Sequence, residues 1–208
     1  MDVPAFFVSY SGNEVKLSDG KFSVLSPKAG TRFLPFKDTV SGALSGKDRS
    51  PAVFIDCESF KQREFSEKVM KHMRVQNTDI WFMTYIETVD DVFDAFNKDA
   101  ELVLAPYHFI ASDAELKDIN DVSDSVVPVV FVHNGRAVLR GRRSGDVLEV
   151  MEKLVKIGYY KIFVLDMERS LDEFTWSVIS SDYPSTIPFV GNASDVKGFE
   201  HVITPYLL

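Results

Sequence analysis

The sequence holds a single cysteine, Cys57, which excludes an internal disulfide and any metal site built from several thiolates. Cations are also scarce: 23 Lys and Arg stand against 31 Asp and Glu, for a net charge of −8. Binding to nucleic acid requires clustered cations to neutralise phosphates, and the chain offers one basic knot, Arg140-Gly141-Arg142-Arg143. A nucleic-acid partner is therefore excluded. The knot reads as a solvated loop, ahead of a grip for a phosphorylated small molecule. No apolar run reaches membrane length and no cleavable signal is present, so a soluble, cytoplasmic chain with no membrane partner is expected. Spacings such as H-x-H or C-x-x-C are lacking too, and neither a metal nor a cofactor is expected.

What the chain has is apolar residues, 45% of 208, enough for the core of one α/β domain. Apolar runs stand at 6–10, 52–56, 80–85, 102–105, 127–132, 162–165, 187–190 and 202–204. Their residues are apolar at successive positions, as strands covered on both faces require. Amphipathic segments fall between them at 38–44, 64–73, 112–119, 146–157 and 171–179, with one more capped by Thr88. Ser112 with Glu115 three residues on is a capping box, and Gly158 suits a left-handed helix end. Segments 15–17 and 21–25 read as a small hairpin turning at Asp19-Gly20.

Eight strands alternating with helices predict a (β/α)8 TIM barrel spanning 1–208, although an open doubly wound sheet has the same grammar. The pattern lacks a helix after the eighth strand. That flank is then open to solvent or to a second copy, and a homodimer is expected.

The chain also echoes itself. Pro4, Phe7, Val8 and Gly12 fall on Pro128, Phe131, Val132 and Gly135; Asp56 and Glu58 fall on Asp166 and Glu168. Ala105-Pro106-Tyr107 answers Thr204-Pro205-Tyr206. Duplication of a half-barrel, about 1–124 and 125–208, is the simplest account.

On these stretches the chain resembles the HisA/HisF-type family of half-barrel-duplicated TIM barrels, which includes the ribotide isomerase of histidine biosynthesis. Positions 131–142, FVHNGRAVLRGR, are similar to the family's D-A-R-D-G-K-V-A-V-R-G-W, and 165–170, LDMERS, to T-D-I-D-R-D. Positions 4–12 resemble the opening P-A-I-D-L-x-G-G, and 53–58 resemble V-V-D-L-D. The resemblance implies an aldose–ketose rearrangement of a bis-phosphorylated ribotide, with an Asp ending strand one and an Asp ending strand five as acid and base. Phe7 and Phe131 stand at those two places, and a phenyl ring cannot move a proton.

The family's glycine-rich phosphate grips are likewise eroded. Positions 83–87, MTYIE, offer no Gly, and Ala105-Pro106 and Thr204-Pro205 put a Pro without an N–H where a Gly is expected. Gly191, followed by Asn192, is what survives. The ancestral isomerase chemistry is therefore expected to be lost.

Polar residues at strand ends would face a barrel mouth. Asp56, His133 and Asp166 are the candidate catalysts, and Ser9, Tyr85, Tyr107, His108, Asn134, Gly191 and Asn192 the candidate ligand contacts. Each has a plainer reading. Asp56 and Asp166 suit buried carboxylates accepting backbone N–H bonds, and His108 suits a hydrogen-bonded rim residue. Two functions follow. One is a divergent barrel that binds or converts another small molecule; the other is a non-catalytic barrel kept as a structural or interaction subunit, its mouth filled by Phe7, Phe131, Tyr85, Tyr107 and Tyr206.

Overall fold

The computed structural model describes residues 1–44, 50–73, 75, 77–96 and 100–206, with the backbone alone at Phe96. Eight of its strands are parallel: β1 (Asp2–Ser11), β2 (Ser50–Asp56), β3 (Thr78–Met83), β4 (Leu102–Pro106), β5 (Val126–His133), β6 (Ile162–Asp166), β7 (Thr186–Val190) and β8 (Val202–Pro205). Each pairs with the next, and β8 returns to β1 with Asp2 opposite Val202 and Ala5 opposite Pro205. The ring is closed, so the fold is the (β/α)8 barrel and not the open sheet. Strand alternation sorts the apolar runs into two layers. Ala5, Phe7, Ile55, Met83, Val129, Leu165 and Phe189 fill the barrel, while Phe6, Phe54, Val130 and Val164 face the helices.

Among the described residues seven α-helices surround the ring: α1 (Phe36–Leu44), α2 (Cys57–Gln62), α3 (Lys68–His72), α4 (Val89–Phe96), α5 (Asp113–Val122), α6 (Val147–Ile157) and α7 (Glu173–Asp182). Ser112 caps α5 by accepting from the Glu115 N–H, and Gly158 ends α6 at φ +124, both as the sequence implies. The β7-to-β8 crossover has a 3-10 turn at Ala193–Asp195 in place of an α-helix. Trp176 of α7 meets Phe199 of that crossover edge-on at 5.6 Å. No helix follows β8 among the described residues; Tyr206 instead lies against Phe6, with ring centroids 4.9 Å apart.

Three local expectations need correction. The helix read over 64–73 shrinks to Lys68–His72, and an unexpected helix, Cys57–Gln62, precedes it: Asp56 caps it directly at the end of β2 and Arg63, at φ 56, ends it. The hairpin turns at Gly12-Asn13, not at Asp19-Gly20: both residues have positive φ, and Glu14–Ser18 folds back on β1 and then pairs with Phe33–Pro35. Thr88 does not cap α4 with its side chain. Asp91 accepts the Glu87 and Thr88 N–H groups, and Glu115 reaches from α5 to accept that of Val89. No described helix is long and apolar enough to cross a membrane.

Candidate functional site

At the C-terminal ends of the strands, where a TIM barrel places its chemistry, the centre is occupied by the chain's own side chains. The ribbon formed by β1, Glu14–Ser18 and Phe33–Pro35 holds the intervening segment over the mouth, and Lys21–Phe22 pairs there with Pro27–Lys28. The Phe22 ring sits 5.2 Å from Phe7, 5.8 Å from Phe131 and 5.1 Å from Phe189, edge-on to all three. Gly20 makes this approach possible: a Cβ there would lie 2.5 Å from Cγ of Phe7. Phe7 and Phe131, which stand where the resemblance expects acid and base, both point into the barrel.

His108 completes the plug. Its Nε2–H donates to the carbonyl of Leu25 at 2.6 Å, and its ring lies 4.8 Å from that of Phe131. Burial drives its pKa down from 6.5 to about 4, against the opposing pull of the Leu25 bond, so the ring is neutral at pH 7. Its Nδ1 is buried without a partner.

On the β2–β3 side, Asp56 is fully buried and continues the outward-facing parity of Ala52 and Phe54. One carboxylate oxygen accepts the N–H groups of Glu58 and Ser59 at 3.1 and 3.2 Å; the other has no partner. Burial raises its pKa from 3.8 to about 7, opposed by those two backbone bonds. Ser59 extends the network, donating to the Asp56 carbonyl and accepting from the Thr84 hydroxyl and the Tyr85 N–H. Ser9 donates to Glu58 at 2.8 Å, and the Tyr85 hydroxyl to Glu87 at 2.6 Å. Burial pushes the Tyr85 phenol up, and likewise the Cys57 thiol.

On the β5–β6 side, Nδ1–H of His133 donates to Glu168 at 2.8 Å, and Nε2 accepts from the Asn134 amide at 2.9 Å. Asn134 and Gly135, at φ 50 and 71, form the turn that folds β5 back on Arg136–Val138. Asp166 serves its own loop, taking the Ser170 N–H and hydroxyl and the Leu171 N–H. Asn192 accepts the N–H and hydroxyl of Ser194, capping the 3-10 turn, and Gly191 is exposed beside it.

The structure thus brings His133 together with Glu168, not with Asp56 or Asp166. Tyr107 leaves the mouth altogether and packs in the helix layer. The Arg140 guanidinium lies 5.2 Å over its ring, and Asp113 holds both Arg140 at 2.7 Å and Lys153 at 2.6 Å. Arg140 of the basic knot is therefore committed to structure. Phe22, Gly20 and Leu25 are the residues that sequence reasoning missed; the Asp19-Gly20 pair that marks this segment reads as an ordinary turn. Among the described residues no group of three or more His, Cys, Asp or Glu is arranged to hold a metal. No protein-family model and no curated protein sequence matches the chain.

Proposed function

We propose that this barrel has lost the aldose–ketose chemistry of the ribotide-isomerase family it resembles and works as a non-catalytic structural or interaction subunit. One observation carries the reading: the Phe22 ring fills the space between Phe7, Phe131 and Phe189 where a substrate would meet acid and base. Neither Phe7 nor Phe131 can exchange a proton, and His108 beside them is held neutral with its Nε2 bound to Leu25. A half-barrel duplication is part of the proposal. It is supported by the two ribbons that follow β1 and β5, turning at Gly12-Asn13 and Asn134-Gly135, and by Asp56 and Asp166 each capping the loop after its strand.

The test is thermal stability measured with the bis-phosphorylated ribotide substrate and with its product. A ligand that binds the folded state must raise the melting temperature. No rise with either compound is expected; a concentration-dependent rise, or turnover, refutes the reading.

A second reading rests on His133. Its bond to Glu168 orients the ring with Nε2 as the acceptor at the rim; Nε2 there takes the Asn134 amide N–H, and acts as a general base once that amide turns away. Under this reading the outer rim, with Ser9, Asn134, Gly191 and Asn192, takes a small molecule that need not enter the barrel, and His133→Gln abolishes its conversion while leaving stability intact.

A further inference from the structure

β2 runs into α2 with no loop between them, so Asp56, the last residue of the strand, is also the N-cap of the helix. Its Oδ1 accepts the Glu58 and Ser59 N–H groups, whereas Oδ2 is fully buried and meets no donor. A protonated carboxyl tolerates that position. A carboxylate leaves one oxygen of a buried charge without a partner, which is costly wherever water is excluded.

The surroundings add no compensating charge. Glu58 contributes charge of the same sign, and burial holds the Cys57 thiol up and neutral beside the carboxyl. Val8, opposite Asp56 on β1, and Thr84, just past β3, carry none, and Tyr85 points into the barrel. Tyr10, two residues beyond Val8, lies against the His72 ring. Into the layer that Asp56 faces α1 presents Phe36 and Val40, and α3 presents Val69 and Met70; Lys37, Asp38, Lys68, Lys71 and His72 of these helices are exposed.

α2 is weakly held. It has six residues, of which Cys57, Ser59 and Phe60 are buried, and it stops at Arg63 in the left-handed region. An element with so few buried side chains opens at a lower free energy than the whole domain. It is also a wall of the mouth: Phe60 lies 5.8 Å from the Phe109 ring and 6.4 Å from that of Tyr85, and the helix packs on Pro27–Lys28 of the covering segment.

We propose that Asp56 is a proton-operated latch on α2: the protonated carboxyl keeps the helix docked, and its ionisation favours a locally open state that frees α2 and the wall it forms beside the mouth. In the open state the carboxylate reaches water. Burial keeps the proton on the closed state up to about pH 7, while the open state loses it near 3.8. Opening therefore becomes more frequent as pH rises between those values, and its frequency levels off above 7. The latch operates whether or not the barrel is catalytic.

The chain's single cysteine reports the opening, because Cys57 is the first residue of α2 and only 3% exposed. Its reaction with dithiodipyridine is followed in the full chain from pH 5 to pH 8. Each rate is divided by that of the urea-unfolded chain at the same pH, which removes the titration of the thiol itself. The normalised rate is expected to rise with pH, at most about tenfold per unit, and to flatten above pH 7. Urea at about 1 M is expected to leave it within roughly twofold, as local opening requires. Asp56→Asn keeps an oxygen for the two N–H groups and is expected to give a flat profile. Three results would overturn the proposal: a parent profile that is flat from pH 5 to pH 7, a rise of equal size in Asp56→Asn, or a rate that urea accelerates as steeply as it does global unfolding.

Discussion

The rings of Phe22 and Phe189 meet edge-on, 5.1 Å between centroids and 86° between planes, and so join a short surface strand to the inner face of β7. An aromatic ring donated by the loop after β1 thereby becomes part of the barrel core. The mouth of this barrel is a packing problem before it is a chemical one, and its tolerance to substitution follows from that.

Gly20 should be intolerant of any side chain. A methyl group would sit 2.5 to 2.7 Å from three atoms of Phe7, whose ring is held by the barrel and cannot withdraw. Gly20→Ala is expected to cost about 1–3 kcal/mol by overpacking, read from the urea midpoint. Gly12→Ala, where nothing lies within 4 Å but φ is +60, should show backbone strain alone.

Asp56 makes the protein less stable as pH rises. Its carboxyl titrates near 7 in the folded chain and near 3.8 when unfolded, so the folded state holds the extra proton between those values. Its contribution is complete below pH 4 and lost as pH climbs through 7, on the order of 4 kcal/mol in total. Asp56→Asn keeps an oxygen for the Glu58 and Ser59 N–H groups and should remove this slope, gaining stability over the parent above pH 7.

His108 acts with the opposite sign. Its folded pKa of about 4 lies below the free value of 6.5, so the unfolded chain binds the extra proton and stability falls as pH drops from 6.5 to 4. His108→Gln retains a donor for the Leu25 carbonyl and should flatten that fall. Denaturation series at pH 4, 5, 6 and 7 for both variants check the two signs: relative to the parent, Asp56→Asn gains as pH rises and His108→Gln gains as pH falls.

Asp166→Ala should cost more than Asp166→Asn. The carboxylate accepts three hydrogen bonds, two of them from backbone N–H groups, and alanine leaves these donors unsatisfied in a buried loop. A loss of roughly 2–4 kcal/mol is expected for alanine and about half of that for asparagine, measured in urea.

The eight strands are readable in the sequence because a barrel strand is covered on both sides, and β5 shows it at every position over 126–132. Helices α5 and α6 announce their ends through Ser112, Asp146 and Gly158. Helix α2 lies ahead of the helix expected over 64–73, and its stop is not announced, because it rests on Arg63 adopting a left-handed conformation that its residue type does not favour. The candidate site is the least legible part. Phe7 and Phe131 can be placed from the resemblance, yet what fills the space between them is Phe22, in a two-residue strand whose only sequence signal is a turn. The bond between His133 and Glu168 spans 35 residues, and no local pattern distinguishes Glu168 from Asp166 as the partner.

The most direct measurement is the stability of Phe22→Ala against the parent in urea. A ring seated among Phe7, Phe131 and Phe189 predicts a loss of about 2–4 kcal/mol, the cost of emptying an aromatic site in a core. A change below about 0.5 kcal/mol, the size usual for a surface substitution, would mean that the ring does not close the barrel and would contradict the account.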